Sequence, residues 1–579
     1  MKVKLPKDLR GVRFPQMLPI EMNDFDIDLL LPLLFFSILS GGRARAGMKN
    51  DPSAIGFYID QLSQHPAVEG FASPERRRLL ERLVRTALIT VGRVGRGHKD
   101  EQITSIVPYN LLCYKPGFPE KSSRLRSTDL FIYQILHNYL GSDQELRQFI
   151  KDAFGRGIVI GPPGQLGGGY DGATELDTLT RLSLAFLDGF ESIRPGLGRD
   201  KNSYTGACPG LARELAADLV QYMSAYHATM PTPAFIHHLL ILINFELFTY
   251  TLKVVHAVNA LVAQPESLPP AMREPLEPSP PAIYVDFTGQ PGPSQEMARA
   301  CVRRDIEAYQ SFLSANLLLR QLHRYVEQLQ RNIRRRALIE RLLGNETSGP
   351  LYLQRLLSLQ GQADIEAQAR QDIDKIFDEN SEEAKNDSNG NHHDLGEGQE
   401  NKLARKYLED LLASAESDLE GLVILLKEGQ REATQNFVRW YWSTGGLTRA
   451  EGLLRGQLKY RSSWQYAPTN DLLAVLVQLA AARLSNGKNG DQEEQNGDGP
   501  RPIRLQDFLR FLDERFGLLI DRPPAPFVGA EYTAAAQENL RAMQRRLRQM
   551  GIFRDLSDDF TVQRLHPPYA PYTMATLRG

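Results

Sequence analysis

The sequence predicts a mainly α, multidomain helical protein with a long helix or coiled-coil arm and a C-terminal winged-helix-like module. Three observations lead there. The stretch from Ala234 to Val262 is apolar on nearly every side. The run from Ser294 to Leu343 contains neither proline nor glycine. The last hundred or so residues alternate helical patterns with short strand-like runs. A chain of 579 residues exceeds what one hydrophobic core usually serves, so several domains are expected.

Composition is that of an ordinary globular protein, 42% hydrophobic and 24% charged, with a net charge of -2. This excludes a uniformly basic nucleic-acid coat but leaves room for local basic faces. Cys113, Cys208 and Cys301 are widely spaced and follow no pairing or zinc-ligand pattern, which suits a reducing, cytoplasmic setting. No metal site and no cofactor is expected.

Along the chain, residues 1–262 read as an N-terminal helical domain built around a buried helix. Ser73, Pro74 and Glu75 open a helix as N-cap, first position and first-turn acid, and the pattern runs on through Gly92. Its outer face carries Arg76, Arg77, Arg78, Arg82 and Arg85. Arg93, Arg96, His98, Lys99, Lys121, Arg124 and Arg126 follow, so the face reads as solvated, with a composite phosphate-binding patch as the alternative. Residues 155–172 are glycine-dense but lack a GK[ST] or GxGxxG pattern, and read as a mobile loop. Thr174 reads as the next cap, with Asp177 in the capping box.

Ala234–Val262 is long enough to span a membrane, yet it holds His237, His238, Glu246, Lys253 and His256. Such groups cost a few kcal/mol each in lipid, so a helix buried in protein, with no membrane contact, is the reading. Its histidines lack HExxH or ExxH spacing and read as core or boundary residues.

Residues 263–293 form a proline-rich linker. Residues 294–378 hold the long helix, with Ser294 as its cap and a short seam at Leu319, Leu322, Val326, Leu329 and Ile333. Residues 379–402 read as a disordered linker, 403–484 as a helical domain and 485–501 as a disordered insert.

Residues 502–579 complete the winged-helix-like module and tail. A strand-like IRL start, a short helix, a helix over Tyr532–Met550 capped by Gly551, and a hairpin from IFRDL and FTVQRL follow in order. From 501 onward there are twelve arginines and no lysines against nine acidic residues. Arg541, Arg545 and Arg548 share one helix face, with Arg546 beside them, and these four are the candidate nucleic-acid-binding residues. A protein partner is the alternative occupant of such a module. Candidate catalytic residues are not identifiable. The nuclease-type alternative would need a dispersed metal site such as Asp171, Asp177 and Glu246, because no PD-(D/E)xK, HNH, HExxH, Walker or Rossmann pattern occurs.

The segment WQYAPTNDLLAVLVQLA, Trp464 to Ala480, with the helix-and-wing pattern up to His566, resembles the C-terminal part of proteins from bacterial methylation-associated anti-phage defence systems. Those systems pair a DNA methyltransferase with helper proteins. The resemblance implies a helper component, non-enzymatic and nucleic-acid-associated or scaffolding. Its partners would be other defence-system proteins and double-stranded DNA. No residue role comes with it.

Overall fold

The computed structural model describes residues 3–43, 55–92, 102–116, 125–162, 165–190, 205–278, 281–331, 333–344, 346–387, 397–485, 502–554 and 563–571. Eighteen α-helices and ten short strands are present among them. The N-terminal part runs α1 (Leu30–Ser40), α2 (Ile55–Ser63), α3 (Pro74–Ala87), β1 (Ile89–Gly92), β2 (Gln102–Ile106), α4 (Thr128–Leu140) and α5 (Asp143–Phe154). Then come β3 (Ile158–Ile160), β4 (Gly168–Tyr170), α6 (Thr178–Asp188), α7 (Pro209–Tyr226) and α8 (Thr232–Ala263). The middle holds β5 (Ile283–Tyr284), α9 (Pro293–Gln330), α10 (Ile333–Leu343), α11 (Pro350–Leu357), α12 (Ala363–Asp387) and α13 (Glu397–Leu412). Next follow α14 (Asp418–Gly429), α15 (Arg431–Thr444), β6 (Leu454–Gln457), β7 (Tyr460–Tyr466) and α16 (Asn470–Ser485). The chain closes with β8 (Ile503–Arg504), α17 (Leu505–Phe511), a π-turn over Leu512–Phe516, β9 (Leu518–Leu519), α18 (Ala530–Gln549) and β10 (Arg564–Leu565).

Helix α8 is the axis of the core. By length and composition it is able to cross a membrane, but 89% of its most apolar window is buried inside the protein. Leu242, Leu247, Phe248, Leu252, Val254, Val255 and Val258 are fully covered. Helices α7, α9, α15 and α16 pack on it. Each buried aliphatic or phenyl group contributes roughly 1.5–3 kcal/mol when removed from water, so this helix is the largest apolar commitment in the fold.

Its buried charged residues are paired inside the protein. Arg515, on the π-turn, places Nε 2.6 Å from Asp218 Oδ2 of α7 and Nη2 2.9 Å from Glu246 Oε2 of α8. Arg483 of α16 sets Nε 3.0 Å from Asp218 Oδ1 and also pairs with Glu214. Lys253 Nζ donates to the Arg515 carbonyl at 2.7 Å. Burial pushes the Glu246 carboxyl well above its ordinary range; Arg515 pulls the other way, and the Asp218 carboxyl beside it adds to the rise. Burial brings Lys253 down to about 8. Lower on α8, His256 Nε2 lies 2.9 Å from Asp305 Oδ1 of α9, whose Oδ2 accepts a bond from Tyr466 Oη at 2.6 Å.

Several local expectations are corrected. The helix opened by Ser73 stops at Ala87, and Ile89–Gly92 continues as β1 because it pairs with β2 across Ile89–Ile106. The glycine-dense segment is a hairpin, β3 against β4, rather than a mobile loop. Lys115 Nζ donates to Gly168 O at 2.9 Å and the Gly167 N–H donates to Tyr114 Oη at 3.2 Å, so it is tied to the core. Asp177 is itself the cap of α6, accepting from Thr180 N. Thr174 instead closes a turn on Asp171.

The long helix divides into α9 and α10 after Arg331. No proline or glycine marks the division. Helices α10 and α11 pack back on α9, and that tertiary packing turns the chain. Gly292 is the residue before α9, while Ser294 donates to Asp286 Oδ1 at 2.6 Å. The seam residues Leu319, Leu322 and Val326 are buried by the protein's own helices. Helix α12 extends to Asp387 and α13 begins at Glu397, so helix enters both ends of the tract 379–402. Within the helical domain that starts at residue 403, α13 ends at Leu412 and Ser417 caps α14.

Inside the proline-rich stretch, Ile283 and Tyr284 pair in parallel with Leu518 and Leu519. Near the C-terminus β10 pairs antiparallel with β8, and Phe553 bridges Leu565. The remainder of the expected hairpin, 555–562, and the insert 486–501 lie outside the described residues.

Two measurements check this core. Leu247→Asp places an unpaired charge where exposure is 0%, and should cost several kcal/mol; thermal melting of the full-length chain is expected to show a collapsed transition. Arg515→Leu should cost about 3–5 kcal/mol, because it strands two buried carboxyls. A carboxyl raised in the folded state holds its proton there, so stability is present at low pH and is lost as pH rises toward its folded value. The gap in Tm between this variant and wild type should therefore widen as pH is raised from about 5 to about 9.

Candidate functional site

The four arginines singled out in the sequence sit on α18 but do not share one environment. Arg541 and Arg545 are exposed by 67% and 58% and both approach Glu538, at 3.4 and 2.8 Å. The Arg545 hydrogen bond, with Arg541 adding to it, holds Glu538 below its ordinary range. Arg548 is exposed at the helix end, its guanidinium 4.9 Å from the Phe553 ring centre. Arg546 turns inward instead. Its Nη1 donates to Pro468 O at 2.9 Å and its guanidinium lies 5.5 Å from the Phe287 ring, so it joins α18 to the segment before α16. Of the basic face on α3, Arg77 pairs with Asp60, Arg85 Nε lies 3.1 Å from Glu81, and Arg76 donates to Gly70 O. Arg126 pairs with Glu21 and Asp24. Arg93, Arg96, His98, Lys99, Lys121 and Arg124 lie outside the described residues.

The dispersed trio Asp171, Asp177 and Glu246 is not assembled. Asp171 accepts the N–H groups of Ala173 and Thr174 at 2.9 Å, and Asp177 caps α6. Glu246 is held by Arg515 in the core. Among the described residues a different trio converges: one ligand atom each from His237, Glu451 and Asp471, all within 4.8 Å of one another.

His237 and Glu451 line a cleft of about 80 Å³, and Asp471 stands next to Leu472, which lines it too. One face of α8 forms its wall, through His237, Ile241, Asn244 and Phe248, spaced four, three and four residues apart. Asn244 forms part of the lining two turns below His237. It is 6% exposed, its Nδ2 donates to Thr444 O at 2.6 Å, and its Oδ1 is a buried acceptor with no partner among the described residues. Opposite stands the loop TGGLTRAEG, Thr444 to Gly452, which carries Arg449 and Glu451. Arg449 makes a two-pronged contact with Asp28, at 2.7 and 3.3 Å, and its Nε lies 4.0 Å from Glu451. Burial works against the Arg449 charge, but the Asp28 bonds outweigh it and raise its pKa.

The loop is rigidly held for a physical reason. Arg455 donates to four of its carbonyls, those of Gly446, Arg449, Ala450 and Gly452, at 2.8 to 3.3 Å. Gly446 and Gly452 pack backbone against backbone. At Gly452, with φ +150°, a Cβ would meet Gly445 O at 2.7 Å and Gly446 Cα at 2.8 Å. Asp471 comes from the first turn of α16, which Thr469 joins to Gly452 by N–H to O at 3.1 Å. Sequence spacing did not single out His237, for want of a helical partner. Its neighbours come from a glycine loop and another helix far along the chain, and only the paired glycines around TRAE hinted at a built loop.

A family model described as methylation-associated defense system protein MAD7 matches residues 7–569, nearly the whole chain. No curated protein and no solved structure matches.

The loop's construction is testable. Gly452→Ala should lower stability by about 1–3 kcal/mol through backbone strain. Thermal melting and native-state proteolysis of the loop read the effect; an unchanged Tm would show that the glycine contact is dispensable.

Proposed function

Because the chain belongs to the methylation-associated defense system protein MAD7 family, we propose that it serves its defence system as a non-enzymatic helper that holds nucleic acid and other system components together. The family places it in anti-phage defence. The observation carrying the finer reading is the row Arg541, Arg545 and Arg548, exposed together on α18. Spacings of four and three put them on one face, where each reaches a successive stretch of polyanion. Support for a winged-helix module comes from the strand pairing: β8 beside β10 and Phe553 beside Leu565 is the connectivity in which a wing follows the last helix. Arg546 contributes by anchoring that helix to Pro468 rather than by reaching a phosphate.

In this reading duplex DNA is the nucleic acid, other defence proteins are the partners, and the cytoplasm is the setting. Three free, buried cysteines are compatible with that compartment. The second reading, a metal-dependent nuclease, is favoured by one observation, the convergence of His237, Glu451 and Asp471 at an open cleft.

The deciding experiment uses the full-length chain. Duplex DNA binding is measured across a salt series for wild type and for Arg541→Ala/Arg545→Ala/Arg548→Ala. Affinity should fall for every sequence tested, and the salt slope should flatten by about one unit for each phosphate no longer neutralised. Equal affinity and slope would transfer the module to protein docking. The same samples, incubated with Mg²⁺ or Mn²⁺ and run on a gel, should show intact DNA; cleavage that disappears with His237→Ala would favour the nuclease.

A further inference from the structure

We propose that His237, Glu451 and Asp471 form a binding site for one divalent transition-metal ion, zinc or manganese.

The donor set is one imidazole nitrogen and two carboxylate oxygens, a combination that suits borderline divalent ions. The ligand atoms already lie within 4.8 Å of one another, and His237 Nε2 is 3.9 Å from Glu451 Oε1. Atoms bound about 2.1 Å from one ion sit about 3–3.5 Å apart, so the closure needed is small. Two carboxylates gathered at one point repel each other, and the guanidinium of Arg449 is 4.0 Å from Glu451 and already committed to Asp28. A cation between the carboxylates relieves that repulsion.

The ligands also come from three separately supported elements. His237 stands on the central helix, Glu451 on the loop clamped by Arg455, and Asp471 on the first turn of α16. Side chains on such supports lose little freedom on binding an ion, which favours affinity.

An independent observation comes from the cleft itself. Asn244 lines it on the same helix face as His237, is more than nine-tenths buried, and presents Oδ1 without a donor among the described residues. A buried acceptor left unpaired costs about 1–3 kcal/mol. The N–H or O–H of a ligand seated in the cleft beside the ion, reaching Asn244, removes that cost. Three protein ligands leave coordination positions free toward this space.

The test uses the full-length chain carrying His392→Ala/His393→Ala, which removes a second pair of imidazoles. After chelation and desalting, ZnCl₂ and MnCl₂ are titrated separately by calorimetry. One site per chain is expected for at least one of the two ions. His237→Ala and Asp471→Asn, each added to that background, should weaken it at least tenfold, a loss typical of removing a group that holds or supports a metal. Both substituted side chains are exposed, so the ion-free Tm should stay within about 2 °C of the parent, the shift a 1 kcal/mol change gives in a large domain. Saturating ion should raise the Tm of the parent and not of the variants. Absence of a site for both ions, or equal affinity in parent and variants, would overturn the proposal.

Discussion

A helix without a polar face must be covered on every side, and in this protein that requirement organises the chain. Helix α8 presents leucine, isoleucine, phenylalanine and valine around its whole circumference. One neighbour covers one stripe of a cylinder, so several are needed. They come from all along the sequence: α7 just before it, α9 just after it, and α15 and α16 from some two hundred residues later. The long-range character of the fold follows from that single demand.

Apolar burial alone does not specify which helix covers which stripe. Five polar residues of α8 do so, because each makes a contact at a defined place in a medium where an unpaired group is costly. Glu246 meets Arg515, Lys253 meets the Arg515 carbonyl, His256 meets Asp305, and Asn244 meets Thr444. His238 contacts Gln478 at 2.8 Å, and burial holds its pKa below the usual histidine value. From one end of the helix to the other, these contacts tie it to α16, to the end of α15, to the π-turn and to α9. A buried Arg–Asp–Glu cluster is weak evidence for added stability, since desolvation offsets much of the attraction. Its effect here is to fix registry.

The cleft is a by-product of the same arrangement. Near its N-terminal end α8 emerges from full cover, and His237 reaches solvent while Asn244 stays buried. The glycine loop and α16 approach from the other side without filling the gap. Residues in sequence-distant elements thus converge where packing ends, which is where open concave sites usually form. The arginine face of α18 has a different origin. It is local, set by helical spacing, and depends on the rest of the protein only for its placement, through Arg546, Phe287 and Pro468.

Elements governed by local chemistry were legible from residues alone. The unbroken apolar run of α8, the Ser73–Pro74–Glu75 helix start, Gly551 after α18 and the arginine row on α18 all follow from periodicity and capping. The resemblance drawn from Trp464–His566 pointed to the right family, whose match extends over nearly the whole chain. What depends on distant partners was not legible. The division between α9 and α10 carries no breaker residue, and the strand in the proline-rich stretch exists because Leu518 and Leu519 lie beside it. The inward turn of Arg546 and the meeting of His237, Glu451 and Asp471 belong to the same class. A side chain's period tells which face it occupies; what stands opposite that face is decided by the packing of the whole chain.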